Sequence, residues 1–215
     1  MTDGPTETIA SKVKDFRVSK GLTKQELGER LTDLGIPWNR FTVSGLESGK
    51  RQNVTVVEWL ALARVLDVPP LALMLPLGEA DRVEVIPGEA IHPDLARKWI
   101  IGEEQAVNAE RQTVGDSAFW LQHSAPLRLY GRLNVAQATV HQADSDLRVA
   151  ERVGRPEGTS AAREKQIRAL RLLADVLDGM LAARVGVPAL PARWLDQMAE
   201  LGMLEHAASL PRMEQ

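Results

Sequence analysis

Apolar residues recur at helical spacing over most of the chain, and the pattern divides it into three stretches. In the first, Ile9, Val13 and Phe16 predict a helix over residues 9–19 that Gly21 stops. Leu27 and Leu31 share a face of a second helix, and Thr23 and Glu26 ahead of them have the spacing of a capping box. The chain turns through Asp33, Gly35 and Pro37. Asn39 then caps a third helix whose buried stripe is Val43 and Leu46, with Arg40, Phe41, Ser44 and Gly45 on other faces. Gly49 suits the left-handed residue that ends it. Thr55 and Glu58 repeat the capping spacing before a fourth helix with Val57, Leu60, Ala61, Arg64 and Val65 on its apolar face. Pro69 and Pro70 break that helix, and a short fifth over residues 71–75 closes the domain before Pro76. Residues 1–8, polar with Gly and Pro, are expected to be disordered.

Residues 78–110 read as a connector. Arg82 to Ile86 alternate in part as an extended segment, Pro87 and Gly88 turn the chain, and Pro93 opens a helix carrying Leu95, Trp99 and Ile100, with His92 as its cap or a turn residue. Residues 111–208 read as a helical interaction domain. A short helix at 117–123 precedes Leu129, Leu133, Ala136, Val140, Ala143, Leu147 and Ala150, whose alternating spacing of four and three is a heptad seam. After a loop at 154–160, a second helix over 161–184 repeats that spacing through Ile167, Leu170, Ala174, Leu177 and Leu181. The two seams meet in an antiparallel hairpin, or pair across a two-fold axis in a homodimer. A last helix from near Pro191, with Trp194, Leu195, Met198, Leu201 and Leu204 at helical spacing, caps the hairpin. The expected class is all-α.

Residues 23–51 resemble the helix-turn-helix of the phage-repressor class, the XRE or Cro/C1-type family, in an actinobacterial or actinobacteriophage repressor-like form. Thr23, Gln25, Glu26 and Leu27 carry the resemblance in T-K-Q-E-L, and Val43, Ser44, Leu46, Glu47, Ser48, Gly49 and Lys50 in V-S-G-L-E-S-G-K. It covers residues 9–76 specifically, and the I-P-G-E-A-I-H-P-D-L-A-R-K-W-I-I-G-E-E segment is similar to one that follows the DNA-binding part of many actinobacterial members. The chain departs from the family pattern at Lys24 (usually Gln), Gly28 (usually Ala) and Gly45 (usually a longer polar residue). Its turn, from Asp33 to Trp38, is also longer by several residues. The resemblance implies a five-helix, lambda-repressor-like DNA-binding domain over residues 9–77 and a sequence-specific transcriptional repressor, whether of a phage, a prophage or a host. It also implies that Glu47 is structural, paired with a basic residue inside the domain.

On this reading the third helix enters the major groove of double-stranded DNA, where each base pair offers a distinct row of donors and acceptors. Its base-reading residues are Asn39, Arg40, Phe41, Thr42, Ser44 and Gly45. The Arg40 guanidinium can pair with guanine O6 and N7, or contact a phosphate. The Phe41 ring can pack on a thymine methyl, or be buried against the turn with Trp38. Thr42 and Ser44 offer short hydroxyls, and Gly45 permits close approach. Phosphate contacts are expected from Thr23, Lys24 and Gln25 at a helix N-terminus and from Lys50 and Arg51 beyond the reader. Lys12, Lys14 and Arg17 extend that footprint or form a solvated face.

Composition narrows the picture further. Residues 9–64 hold ten basic residues against six acids, a local excess on a chain of net charge −3, which orients the domain toward phosphate without making it a polycation. The chain has no cysteine, no secretion-signal pattern in its first ten residues, and no apolar run long enough to span a bilayer, so a cytoplasmic location and no membrane partner are expected. His92, His123, His141 and His206 are dispersed, and no phosphate-binding loop, dinucleotide fingerprint, zinc motif or nucleophile elbow occurs, so neither enzyme chemistry nor a cofactor is expected. The alternative to a regulator is a protein-interaction module, an antitoxin or adaptor whose helical half binds a partner.

Overall fold

The computed structural model describes residues 4–205 and 209–213. The chain divides into two compact units, Met1–Ser117 and Ala118–Gln215, each with its own hydrophobic core. The protein is predominantly helical, with only short strands. Among the described residues no helix is long and apolar enough to cross a membrane.

Five helices open the first unit: α1 (Pro5–Ser19), α2 (Lys24–Asp33), α3 (Arg40–Glu47), α4 (Val56–Leu66) and α5 (Pro70–Met74). Their ends follow the local chemistry of the sequence. Complete capping boxes start α2 at Thr23 and α4 at Thr55, and the Asn39 side chain caps α3 by accepting from the Phe41 and Thr42 amides. Gly49 ends α3 at φ +70°, a conformation open to glycine at no steric cost. Val13, Leu27, Leu31, Val43, Leu46, Leu62 and Leu73 are fully enclosed and tie all five helices to one core.

Two expectations in this unit need correction. α1 begins at Pro5 rather than residue 9, because proline is pre-organised for the first helical position and Thr8 is buried; residues 1–3 of the stretch expected to be disordered lie outside the described residues. The buried face of α4 is Leu62, Ala63 and Leu66, while Val57 and Leu60 are exposed. The helix is apolar on both sides, so spacing alone does not fix its rotation. The Trp59 indole donating to the Pro70 carbonyl at 2.9 Å helps to fix it.

Residues 83–100 belong to the first unit. β1 (Val83–Ile86) and β2 (Glu89–Ile91) form an antiparallel hairpin around the expected turn at Pro87 and Gly88, followed by α6 (Pro93–Ile100). Val83 and Ile91 face each other across the hairpin and pack with Leu75 and Ala96. The expected extended segment is thus the first strand of a hairpin in a predominantly helical chain; the second strand, three residues long, is too short to announce itself. His92 does cap α6, accepting from the Asp94 amide at 3.2 Å.

The second unit is built on α7 (Ser117–Val153) and α8 (Pro156–Ala182), with α9 (Ala192–Glu200) packed on them. α7 and α8 are antiparallel: Asp144 meets Gln166, Asp146 meets Lys165, and Glu151 meets Arg163. Leu133, Ala136, Val140, Ala143 and Leu147 of the expected seam are buried against Leu170, Ala174 and Leu177. The helix boundaries differ from expectation. The short helix and the seam helix are one, running through Pro126, where the Arg128 guanidinium donates to the Leu121 carbonyl at 3.0 Å beside the missing proline N–H. The loop shrinks to Gly154 and Arg155 because Gly154 stops α7 at φ +71° and Pro156 starts α8 at once. Two-residue strands β3 (Leu190–Pro191) and β4 (Arg212–Met213) pair in parallel beyond the hairpin. The expected end of this region at residue 208, and His206, lie outside the described residues.

Candidate nucleic-acid interface

α3 is held from behind and open in front. Val43 and Leu46 have no solvent exposure, while Arg40 and Phe41 at its first turn are exposed, Phe41 as a residue by 73%. Burial of that ring against Trp38 is therefore overturned. Trp38 itself is buried, and its indole donates to Glu58 Oε1 at 2.8 Å. The long turn between α2 and α3 is thus pinned inward at its end, and Thr32 Oγ1 closes it by donating to the Trp38 carbonyl at 2.9 Å.

An ion pair fixes the other end of α3. Arg17 grips Glu47 through Nε (2.5 Å) and Nη2 (3.0 Å), and donates to the Leu22 carbonyl at 2.7 Å. The Glu47 side chain is only 2% exposed, so a carboxylate sits inside the domain with a fork of donors around it. The hydrogen bond to Glu47 outweighs desolvation and holds the guanidinium pKa above its ordinary value. Glu47 is thus structural and Arg17 is not a phosphate contact. Lys12, paired with Glu79, leaves the expected footprint as well.

The expected contacts differ in what already occupies them. The Asn39 carbonyl oxygen is committed to the cap, with Thr42 Oγ1 3.4 Å from it. Ser44 Oγ accepts from Lys24 Nζ at 3.2 Å, and that ammonium also lies 3.3 Å from Glu47, so Lys24 ties α2 to α3. At Thr23 the amide and hydroxyl both donate to Glu26 Oε2 at 2.7 Å. The Thr23 amide is the main reason the Glu26 carboxyl is held below its usual pKa, and this anion already occupies the helix end proposed for phosphate. Gln25 donates to Glu29 at 2.9 Å. Lys50 is exposed, and its ammonium has no partner among the described residues.

Arg51 has a structural role that its place beside Lys50 conceals. Its Nη2 lies 2.9 and 3.0 Å from the two Glu58 oxygens, and its guanidinium carbon is 4.7 Å from the Trp38 ring centroid. Burial opposes ionisation of Glu58, but the Thr55 amide, Trp38 indole and Arg51 together overcome it and lower the pKa. Arg51, expected to contact phosphate, thus also clamps the turn from within the domain.

Two glycines explain themselves differently. A Cβ on Gly28 would lie 2.9 Å from the Asn39 backbone, so α2 and the start of α3 approach too closely for alanine. A Cβ on Gly45 would meet nothing within 4 Å. Packing within the chain gives no reason for glycine there, although it costs roughly 0.5–1 kcal/mol of helix stability relative to alanine.

Beside Arg40 and Phe41 runs an open groove also lined by Gln25, Glu29, Thr32, Asp33, Trp38 and Asn39. Glu29 and Asp33 were not among the sequence candidates. The signal was present, because Gln25, Glu29 and Asp33 recur every four residues on one face of α2. Compared with family models, curated proteins and solved structures, the chain matches none.

Proposed function

We propose that the protein is a sequence-specific regulator of transcription that binds double-stranded DNA with α3 in the major groove and acts as a repressor. The main support is an eight-residue helix anchored by Val43, Leu46 and the Arg17–Glu47 pair, whose outward side carries Arg40, Phe41 and an unobstructed Gly45. Arg40 and Phe41 read bases, Lys50 meets the backbone, and Gly45 lets the helix sit deep in the groove. A protein-interaction role for the second unit rests on a separate observation, the exposed Leu127 and Val135 on α7 and Leu172 on α8. If a second copy docks there, the operator consists of two half-sites about one helical turn, roughly 34 Å, apart.

Titration of random-sequence duplexes into the full chain at two salt concentrations tests the reading. Lys50→Ala is expected to weaken binding to every duplex and to reduce the slope against log salt by about one. Gly45→Ala is expected to raise the stability of the unbound protein by about 0.5–1 kcal/mol while weakening its DNA complex. Unchanged affinity in both variants would remove α3 from the interface.

A further inference from the structure

We infer that Arg40 and Phe41 form one reader of a two-base step, a guanine beside a pyrimidine that carries a 5-methyl group, thymine or 5-methylcytosine. The inference rests on the DNA-binding reading above and specifies what α3 recognises.

The two side chains are coupled before any ligand arrives. The guanidinium carbon of Arg40 lies 5.1 Å from the centroid of the Phe41 ring, within cation–π range, and among the described residues Arg40 forms no ion pair even though Glu29 and Asp33 line the same groove. The ring is otherwise open to solvent. Capping by Asn39 fixes the backbone of both residues at the first turn, so the pair is presented from a rigid base.

A guanidinium bonded to guanine O6 and N7 lies close to the plane of that base pair. Successive pairs are ~3.4 Å apart along the axis. A ring held 5.1 Å from the guanidinium therefore reaches the level of the neighbouring pair, where the C5 substituent of a pyrimidine projects into the major groove. A methyl group there gives the exposed ring an apolar partner; a bare C5 does not. The carboxylates beside the pair repel phosphate and can accept from the amine of cytosine, so this groove suits base edges better than backbone.

The test uses the full chain and duplexes selected from a random pool, with binding read by fluorescence anisotropy. Replacing the thymine next to the selected guanine with deoxyuridine removes one methyl and is expected to weaken binding about fourfold. At a selected site with cytosine in that place, 5-methylation is expected to tighten binding by a similar factor. Phe41→Ala should abolish both differences with an unchanged thermal midpoint, because the ring is exposed, and Arg40→Ala should abolish the preference for guanine. Indifference of the wild-type chain to the methyl group, or methyl sensitivity that persists in Phe41→Ala, overturns the inference while leaving DNA binding intact. A chain that binds no duplex at low salt overturns both.

Discussion

Arg17→Ala is expected to cost about 3 kcal/mol of stability, the lower end for breaking a buried ion pair, since Lys24 remains near the stranded carboxylate. The loss is larger than for an ordinary surface charge because Glu47 is enclosed and cannot turn to water. Urea unfolding of the full chain, with hydrogen exchange read in α1 and α3, gives the number. Arg17→Met combined with Glu47→Leu should recover most of it, because an apolar pair of similar volume leaves no buried charge. A change below about 0.5 kcal/mol for Arg17→Ala alone, the range of ordinary surface substitutions, would mean the pair does not anchor α3.

The second large effect lies in the helical unit. Asp144 is a buried carboxylate that accepts from the Gln166 amide at 2.7 Å and from the Trp194 indole at 2.9 Å, with Arg193 3.1 Å away at the rim. It joins α7, α8 and α9 at a single side chain. Asp144→Ala leaves the indole N–H and the amide unbonded in the core and opens a small cavity, an expected loss of about 2–4 kcal/mol. Asp144→Asn keeps an oxygen for one donor and should cost less. Exchange of α7 and α9 amides distinguishes the two variants. Equal stability of Asp144→Ala and the wild type would show that apolar packing alone sets the register of the three helices.

The parts of the fold readable in the sequence are those decided within a few residues. Thr23 with Glu26, Thr55 with Glu58, and Asn39 before α3 announce helix starts, because cap and amide are neighbours in the chain. The α7 seam was legible for a similar reason: a repeat of four and three sustained over three heptads leaves one face to bury. The continuity of α7 through Pro126 was not, because a proline inside an apolar pattern ordinarily ends or kinks a helix and nothing in the local sequence overrides that.

In the candidate site, the anchoring of α3 by Val43 and Leu46 could be read from spacing, and so could the exposed position of Arg40. The role of Arg51 could not. Next to Lys50 it looks like a second backbone contact, and only the return of Trp38 and Glu58 through the folded turn gives it another partner. Gly28 is similar, since its lack of a side chain is explained by Asn39 lying against it across the turn. Trp38 and Asn39, the partners of these two residues, stand at the end of the lengthened turn, where local pattern carries least information.

The central claim, that the outward side of α3 meets a duplex, is tested most directly by following backbone amide resonances of the full chain as a duplex is added at low salt. Saturable shifts concentrated in Arg40–Glu47 and around Lys50, fading as salt is raised, are expected. Shifts confined to residues 118–213, or none with any duplex, would contradict it.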